Sequence, residues 1–556
     1  MVAAAALFCS LLGGLTAQKT AADKLVSAAA RGDLDEVKKL LADGASPDSR
    51  SRIGLTALHA SRMNGYPEVA ELLLARGADP GIEMPAPGDL ADRWLRSLVK
   101  GKSPGIAVLA ARDGKILFKK GYGYACLAHE VSVTPSTKFR IGSITKQFTA
   151  TAVLELQEDG KLSVKDKLSR FMPDYPRGDE VTVHHLLTHT SGIHSYTSKP
   201  EFFETVTVPI TPEKLIESFE DDAYDFDPGE RWLYNNSGYF LLGHIIAKVS
   251  GQSYGAFLHD RLFEPLGMRA TGVHDSRAIL AHEATGYSCE KGKFRKALDW
   301  DMSRAGGAGA LYSTVGDLYR WNEGIFNGRV LSQASLEAAF TPVKLSGGKK
   351  EHPYGYGWGL GQHRGLKVIA HGGGLHGFLS YLARYPDADF TVVALVNCSP
   401  APPGLNPTAV ARRIALYYLW SEMKPRKARV VARGIDTAAY DRYAGRYDYG
   451  SAVLTVTRKG ERLFARLGRQ RAFEIFPRSE SVFFWKAVDA EITFVKNEDG
   501  KVVHAVHRQG GRTTEAPRLE NQIVVEVDPA VLEAYVGKYD YGSGKVLTVT
   551  EKGGRL

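Results

Sequence analysis

Cysteine is scarce in this 556-residue chain, with only four, at positions 9, 126, 289 and 398. Cys9 lies in the apolar opening run; the other three, spaced so widely, make neither a disulfide framework nor a C-x-x-C metal site, and each reads as a small buried residue. Long apolar runs are also missing. The opening MVAAAALFCSLLGGLTAQ is apolar but too short to span a bilayer, and no later stretch is long enough, so no membrane span is expected. Charge is not concentrated either. The formal net charge is +9, from 71 Lys and Arg against 62 Asp and Glu, dispersed except for KPRKARVVAR at 424–433. Nucleic-acid binding needs a clustered basic stripe with a reading module, and neither is visible; the basic run reads as a solvated linker, 424–434. His184, His185, His189 and His194 cluster, but without H-E-x-x-H spacing or a carboxylate pattern, which argues against a metal hydrolase. No metal and no cofactor is expected.

The rest of the composition is that of a soluble globular protein, 44% hydrophobic and 24% charged, and the length suggests three or four compact units. Residues 1–18 resemble a secretory signal peptide cut near Ala17 or Gln18, which predicts export to the periplasm or the extracellular space. No Lys or Arg precedes the apolar run, and Leu15 is a poor residue three before the cut. A buried N-terminal helix is the alternative.

Two internal repeats frame the chain. AAARGDLDEVKKLLADGASPDSR and ASRMNGYPEVAELLLARGADPGI align with a period of 33, matching Gly32 to Gly65, Leu40 to Leu73 and Gly44 to Gly77. This is the ankyrin length, and Thr56-Ala57-Leu58-His59-Ala60 resembles the ankyrin T-P-L-H-x-A signature. Residues 20–83 therefore resemble ankyrin repeats, which implies a face for a protein partner. Two repeats are fewer than a free-standing array needs, so the module is expected to lean on its neighbour. At the other end, DTAAYDRYAGRYDYG (436–450) recurs as DPAVLEAYVGKYDYG (528–542), and VLTVT follows both with a one-residue slip. Alternating apolar residues and Gly turns predict β-strands, as a domain over 435–520 and the start of a second copy over 528–556. That copy stops in mid-pattern, which reads as a truncated chain or an incomplete domain.

Between them, 92–423 begins with two strands joined by Asp113-Gly114 and ends with the strand-like runs KVIA, FLSYLARY and FTVVALVN. Helical patterns fill the middle. One α/β domain is expected, its sheet built from both termini around a helical insert.

Within it, SITKQFTATAVLELQEDGKL sets Ile144, Phe148, Ala152 and Leu156 on one helical face, with Gly160 as C-cap. Ser143 stands at the start of this apolar helix and Lys146 one turn on. The helix's positive end and desolvation would both lower the lysine pKa, leaving an amine able to act as a base. A serine N-cap followed by a surface lysine is the competing reading. S-x-x-K occurs five times in the chain, but none of the other four matches leads a long apolar helix. Two further motifs matter: Tyr234-Asn235-Asn236 within WLYNNSGYFLLG, and His371-Gly372-Gly373 following a strand in VIAHGGGLHGF. A phenol can pass a proton, an amide can hold a carbonyl, and glycines let a backbone N–H approach a developing oxyanion.

S-x-x-K, then Y-x-N, then H-G-G, in that order, resembles the serine β-lactamase and penicillin-binding-protein superfamily, in its class C β-lactamase, D,D-carboxypeptidase and esterase branch. LLTHTSGI (186–193), GALYSTVGDLYRW (309–321) and YGYGWGL (354–360) look like the same family. The resemblance implies a multidomain chain: α-helical ankyrin repeats, an α/β (α+β) β-lactamase-like domain with an antiparallel sheet and helical insert, then small all-β units like a domain of unknown function often appended to this family. It implies Ser143 as nucleophile, Lys146 as base and Tyr234 as proton shuttle. Asn236 would orient the substrate amide or the deacylating water, and the N–H groups of Ser143 and Gly374 would form the oxyanion hole.

His371 stands where many relatives carry the Lys of K-T-G, and Gly372 replaces the hydroxyl residue. Both changes remove contacts to a substrate carboxylate. The expected activity is acyl-enzyme hydrolysis of a small-molecule or peptide substrate at ester, amide or D-amino-acid peptide bonds, with weak or absent β-lactamase activity. A non-catalytic scaffold binding a protein partner through the ankyrin repeats is the alternative. Gly251-Gln252-Ser253-Tyr254-Gly255 is a literal G-x-S-x-G, but it follows a helix rather than a strand and is not read as a nucleophile elbow.

Overall fold

The computed structural model describes residues 20–290, 292–346, 351–449, 452–468, 470–486, 488, 490–509, 512–519, 535–540 and 546–550. The run read as a signal peptide lies outside them, as does part of the second C-terminal copy. The chain forms two compact units, one mainly of residues up to 433 and one mainly of residues from 434 onward.

The first unit opens with two helix pairs, α1 (Ala21–Arg31) with α2 (Leu34–Ala42), and α3 (Ala57–Asn64) with α4 (Pro67–Ala75). The 33-residue period is visible in their ends. Thr20 and Thr56 cap α1 and α3, each hydroxyl accepting the N–H three residues on. Gly32 and Gly65 close the same helices in the left-handed region, at φ +67° and +76°. These pairs have no separate core. Leu25, Leu58, Val69 and Leu73 belong to the same buried cluster as Val108, Val392 and Val396 of the central sheet, so the module leans on its neighbour as expected.

Next come α5 (Pro87–Leu98) and the hairpin β1 (Ile106–Arg112) and β2 (Lys115–Tyr122). Asp113 and Gly114 turn it with φ +51° and +72°, the twist a two-residue hairpin requires. The helical insert includes α6 (Thr145–Glu158) and α7 (Asn236–Ser250). The chain then returns as β3 (Gly359–His363), β4 (Leu366–Leu375), β5 (Phe378–Tyr385) and β6 (Phe390–Val396), followed by α8 (Pro407–Leu419). The sheet order is β3-β4-β5-β6-β1-β2, antiparallel throughout. β1 therefore pairs with β6, some 280 residues later, and the sheet is assembled from both ends of the domain. Along β1, Ala107, Leu109 and Ala111 join the core under α6, while Ile106, Val108 and Ala110 join the core under α5 and α8. A strand buried on both faces tolerates little; Leu109→Ala is expected to cost about 2–5 kcal/mol.

The basic run at 424–433 differs from its reading as a solvated linker. Arg426 N–H donates to Gly65 O at 2.5 Å and Arg429 N–H to Gly32 O at 2.6 Å. These are equivalent capping glycines of the two repeats, and Ala428 and Arg429 are buried. Helix ends leave carbonyls without intrahelical partners, and this segment satisfies them one repeat apart. Its charge made it look solvated; its backbone is what docks.

In the second unit, eight strands from Gly445–Asp448 to Arg512–Leu519 close into a barrel around Tyr447, Leu463, Phe483 and Ile492. The second copy contributes one described pair of antiparallel strands. It pairs Gly537 with Val549, where the first copy pairs Gly445 with Val456. The repeat and its one-residue slip are thus built as equivalent strand registers.

Candidate active site

From Phe139 to Leu156 every residue is buried except Ser143. A 3-10 turn, Gly142–Ile144, carries this serine into α6. The turn is pressed against β4. Gly142 has φ +52°, and a Cβ there would come 2.9 Å from Gly374 N, too close for any side chain. Ser380 of β5 donates to Ile141 O at 2.7 Å and pins the residue before the turn. β3 pairs only with Leu366–Ala370, so β4 from His371 to Leu375 runs beyond it, with Gly374 exposed beside the serine turn. This arrangement can offer two backbone N–H groups, of Ser143 and Gly374, to an oxyanion.

Lys146 is fully buried, and its Nζ has three polar neighbours: Ser143 Oγ at 3.1 Å, Asn236 Oδ1 at 2.8 Å and Ala308 O at 2.8 Å. Burial holds its pKa well below the ordinary lysine value, and no carboxylate pairs with it among the described residues. A neutral amine has two N–H groups and one lone pair. Ala308 O is a carbonyl and can only accept. Asn236 Nδ2 donates to Thr197 Oγ1 at 2.9 Å, which turns its Oδ1 toward the lysine, and that oxygen also only accepts. The two N–H groups are thereby spent, and the lone pair is left facing the Ser143 hydroxyl. An amine so placed can accept the serine proton.

Tyr234 completes this side. Its ring centroid lies 4.8 Å from Lys146 Nζ, and Ser143 is near enough to its phenol to work against the effect of burial on its pKa. Burial holds its phenol well above the ordinary tyrosine pKa, so it stays protonated and can relay a proton but not serve as a standing phenolate.

On the opposite side, His371 is buried and differently employed. Its Nδ1 lies 2.6 Å from Gly372 O, which can only accept, so Nδ1 carries the proton. Nε2 then accepts from the Tyr354 hydroxyl at 2.9 Å. Burial lowers the imidazole pKa to about 3. The residue is neutral, and both nitrogens are occupied.

The structure thus brings together Ser143, Lys146, Tyr234, Asn236, His371 and the Gly372–Gly374 edge. It also shows partners that spacing did not reveal. Ala308 and Thr197 hold the lysine and the amide, and Tyr354 fixes His371. Asn236, expected to orient substrate or water, has its oxygen on Lys146 and its amine on Thr197. The motif LLTHTSGI, part of the family resemblance, places His189 against Tyr234, ring centroids 4.4 Å apart. Ser253 of G-x-S-x-G follows a helix, as the sequence indicated, just after the left-handed cap Gly251 of α7, and it accepts the Ala256 N–H as an N-cap. The other histidines of the 184–194 cluster have separate partners, His184 on Tyr356, His185 on the Thr182 N–H and His194 on Asp225.

This architecture has relatives. A family model described as Beta-lactamase matches residues 91–417, more than half of the chain. The chain belongs to the β-lactamase family. Flanking it, ankyrin repeats match 25–74 and a domain of unknown function, DUF3471, matches 430–518. Penicillin-binding protein 4* of Bacillus subtilis is 31% identical over 72% of this chain and 92% of its own length. The chain covers less of two other relatives. PbpX of Bacillus subtilis, named a putative penicillin-binding protein, is 36% identical over 43% of this chain and 59% of its own length. Protein flp of Staphylococcus aureus is 29% identical over 54% and 61%. Among solved structures, the octameric penicillin-binding protein homologue from Pyrococcus abyssi aligns with TM-score 0.52 at 28% identity, covering 75% of this chain and 96% of its own. A D-stereospecific amidohydrolase from Streptomyces aligns with TM-score 0.50 at 29% identity, covering 58% and 96%. The β-lactamase-family domain, the N-terminal repeats and the C-terminal barrel agree with the architecture expected from sequence. No helix among the described residues is long and apolar enough to cross a membrane.

Proposed function

We propose that this β-lactamase-family chain is a serine hydrolase acting through an acyl-enzyme, with 92–423 as its catalytic domain. The observation that carries this reading is the valence count at Lys146, which leaves one lone pair, aimed at Ser143. Lys146 takes the Ser143 proton as Oγ bonds to the substrate carbonyl carbon, and the oxyanion sits on the N–H groups of Ser143 and Gly374. Tyr234 gives its proton to the departing alcohol or amine as the carbon–leaving-group bond breaks, and regains one from the Lys146 ammonium. A water then repeats the sequence at the acyl carbon, releasing the acid and restoring Ser143 and neutral Lys146.

Substrate choice follows from His371. A neutral imidazole with both nitrogens occupied offers no cation to a carboxylate, so esters, amides and D-amino-acid peptide bonds without that carboxylate are favoured over β-lactams. The likeness to a D-stereospecific amidohydrolase supports the amide branch of that class. The signal-like first 18 residues support an exported enzyme. A non-catalytic scaffold would not need a buried, uncompensated lysine beside its one solvent-reaching serine on this helix.

The test is activity-based labelling and turnover. A fluorophosphonate should label the wild type and not Ser143→Ala; p-nitrophenyl esters or D-amino-acid amides should be hydrolysed, and nitrocefin poorly or not at all. Absence of Ser143-dependent labelling and hydrolysis would return the chain to the scaffold reading. Efficient nitrocefin turnover would overturn the substrate argument.

A further inference from the structure

Tyr234 sits on an irregular segment, yet a proton relay demands a hydroxyl held within a few tenths of an ångström. What fixes it is one residue from a different loop. His189 O accepts the N–H of Leu233 at 3.0 Å, and His189 Nδ1 accepts the N–H of Asn235 at 3.1 Å. The residues immediately before and after Tyr234 are therefore both tied to His189, one through its backbone and one through its ring. The ring also packs on the Tyr234 ring, and on Tyr239 and Tyr354 at centroid distances of 5.1 and 4.8 Å.

His189 accomplishes this from a costly conformation. It is fully buried and takes φ +62°, a region non-glycine residues seldom adopt outside Asn, Asp and His. Accepting the Asn235 N–H leaves Nδ1 unprotonated, so the proton is on Nε2, which has no hydrogen-bond partner among the described residues. A strained backbone and an unsatisfied buried N–H are both unfavourable, and they accompany a contact that only a side-chain acceptor at this position makes.

We propose that His189 is a positioning residue that clamps Tyr234 by holding the backbone on both of its flanks. The proposal rests on the reading of Ser143 and Tyr234 given above, and the experiment separates the two. Two substrates share one acyl group; one releases p-nitrophenolate, which leaves without a proton, and the other releases a simple alcohol, which needs one. A misplaced Tyr234 slows the second and spares the first. The ratio of the two kcat/KM values does not depend on how much of a variant is folded.

Asn is the conservative replacement, because its Oδ1 occupies the place of Nδ1 and Asn accepts the left-handed conformation. His189→Leu keeps volume and loses the acceptor. The expected result for His189→Leu is a loss of about tenfold or more on the alkyl ester with less than about threefold on the nitrophenyl ester, within the range of general acid catalysis. Tyr234→Phe should show the same pattern, the double variant should add little to it, and His189→Asn should stay within about threefold of wild type on both substrates. The clamp is overturned if His189→Leu leaves the alkyl-ester rate intact, if it slows both substrates equally, or if His189→Asn is as impaired as Leu. If the wild type shows no Ser143-dependent turnover of either substrate, the underlying catalytic reading fails and this one with it.

Discussion

The two sides of Ser143 treat their polar groups in opposite ways. On the Lys146 side, two acceptors take two N–H groups and leave a third valence open toward the serine. On the His371 side, the ring's one proton and one lone pair are both consumed, by Gly372 O and the Tyr354 hydroxyl. Both residues are buried and both are driven toward neutrality by burial. Burial alone therefore does not make a reactive group. On the proposed mechanism, reactivity belongs to the residue whose partners fall one short of its hydrogen-bonding capacity.

The sharpest break of that contrast is Lys146→Ala. It removes the open valence while leaving Ser143, Tyr234 and the glycine edge in place, and it should slow Ser143 acylation by about 10²–10⁴-fold, the range general bases supply. Single-turnover labelling with a p-nitrophenyl ester would measure it, with a melting curve to show the variant folded. An acylation rate within a few-fold of wild type would remove Lys146 from the base role. The small effect belongs to the other side. His371→Gln keeps the site neutral, so kcat/KM on esters should change by less than about threefold, with no movement of the pH profile between pH 5 and 9. A changed profile would mean that His371 carries a proton the structure does not give it.

How much of this was legible in the sequence differs with the kind of information involved. Ser143 and Ser253 both precede a helix in recognisable motifs. They separated because the residues after Ser143 continue as an apolar helix face, while Ser253 follows a glycine-capped helix, and those patterns are local. The sheet built from both termini was readable for the same reason, from strand-like runs at each end. What stayed hidden depends on contacts between distant segments. Ala308 O reaching Lys146, Tyr354 occupying His371 and His189 bracketing Tyr234 have no period or spacing to announce them. The run at 424–433 misled because its side chains are basic, whereas its backbone N–H groups are what engage the repeat caps at Gly32 and Gly65.

The central claim is that Lys146 is a neutral amine at working pH, and the pH dependence of Ser143 acylation tests it most directly. Protonation removes the lone pair, so the rate should fall as pH drops through the Lys146 pKa and hold a plateau above it. Because burial lowers that pKa, the rising limb should lie well below the ordinary lysine value of about 10.4. Asn236→Asp places a carboxylate against the amine, favours the ammonium and should move the limb to higher pH. A wild-type limb near the ordinary lysine value, or one that Asn236→Asp leaves in place, would contradict the account.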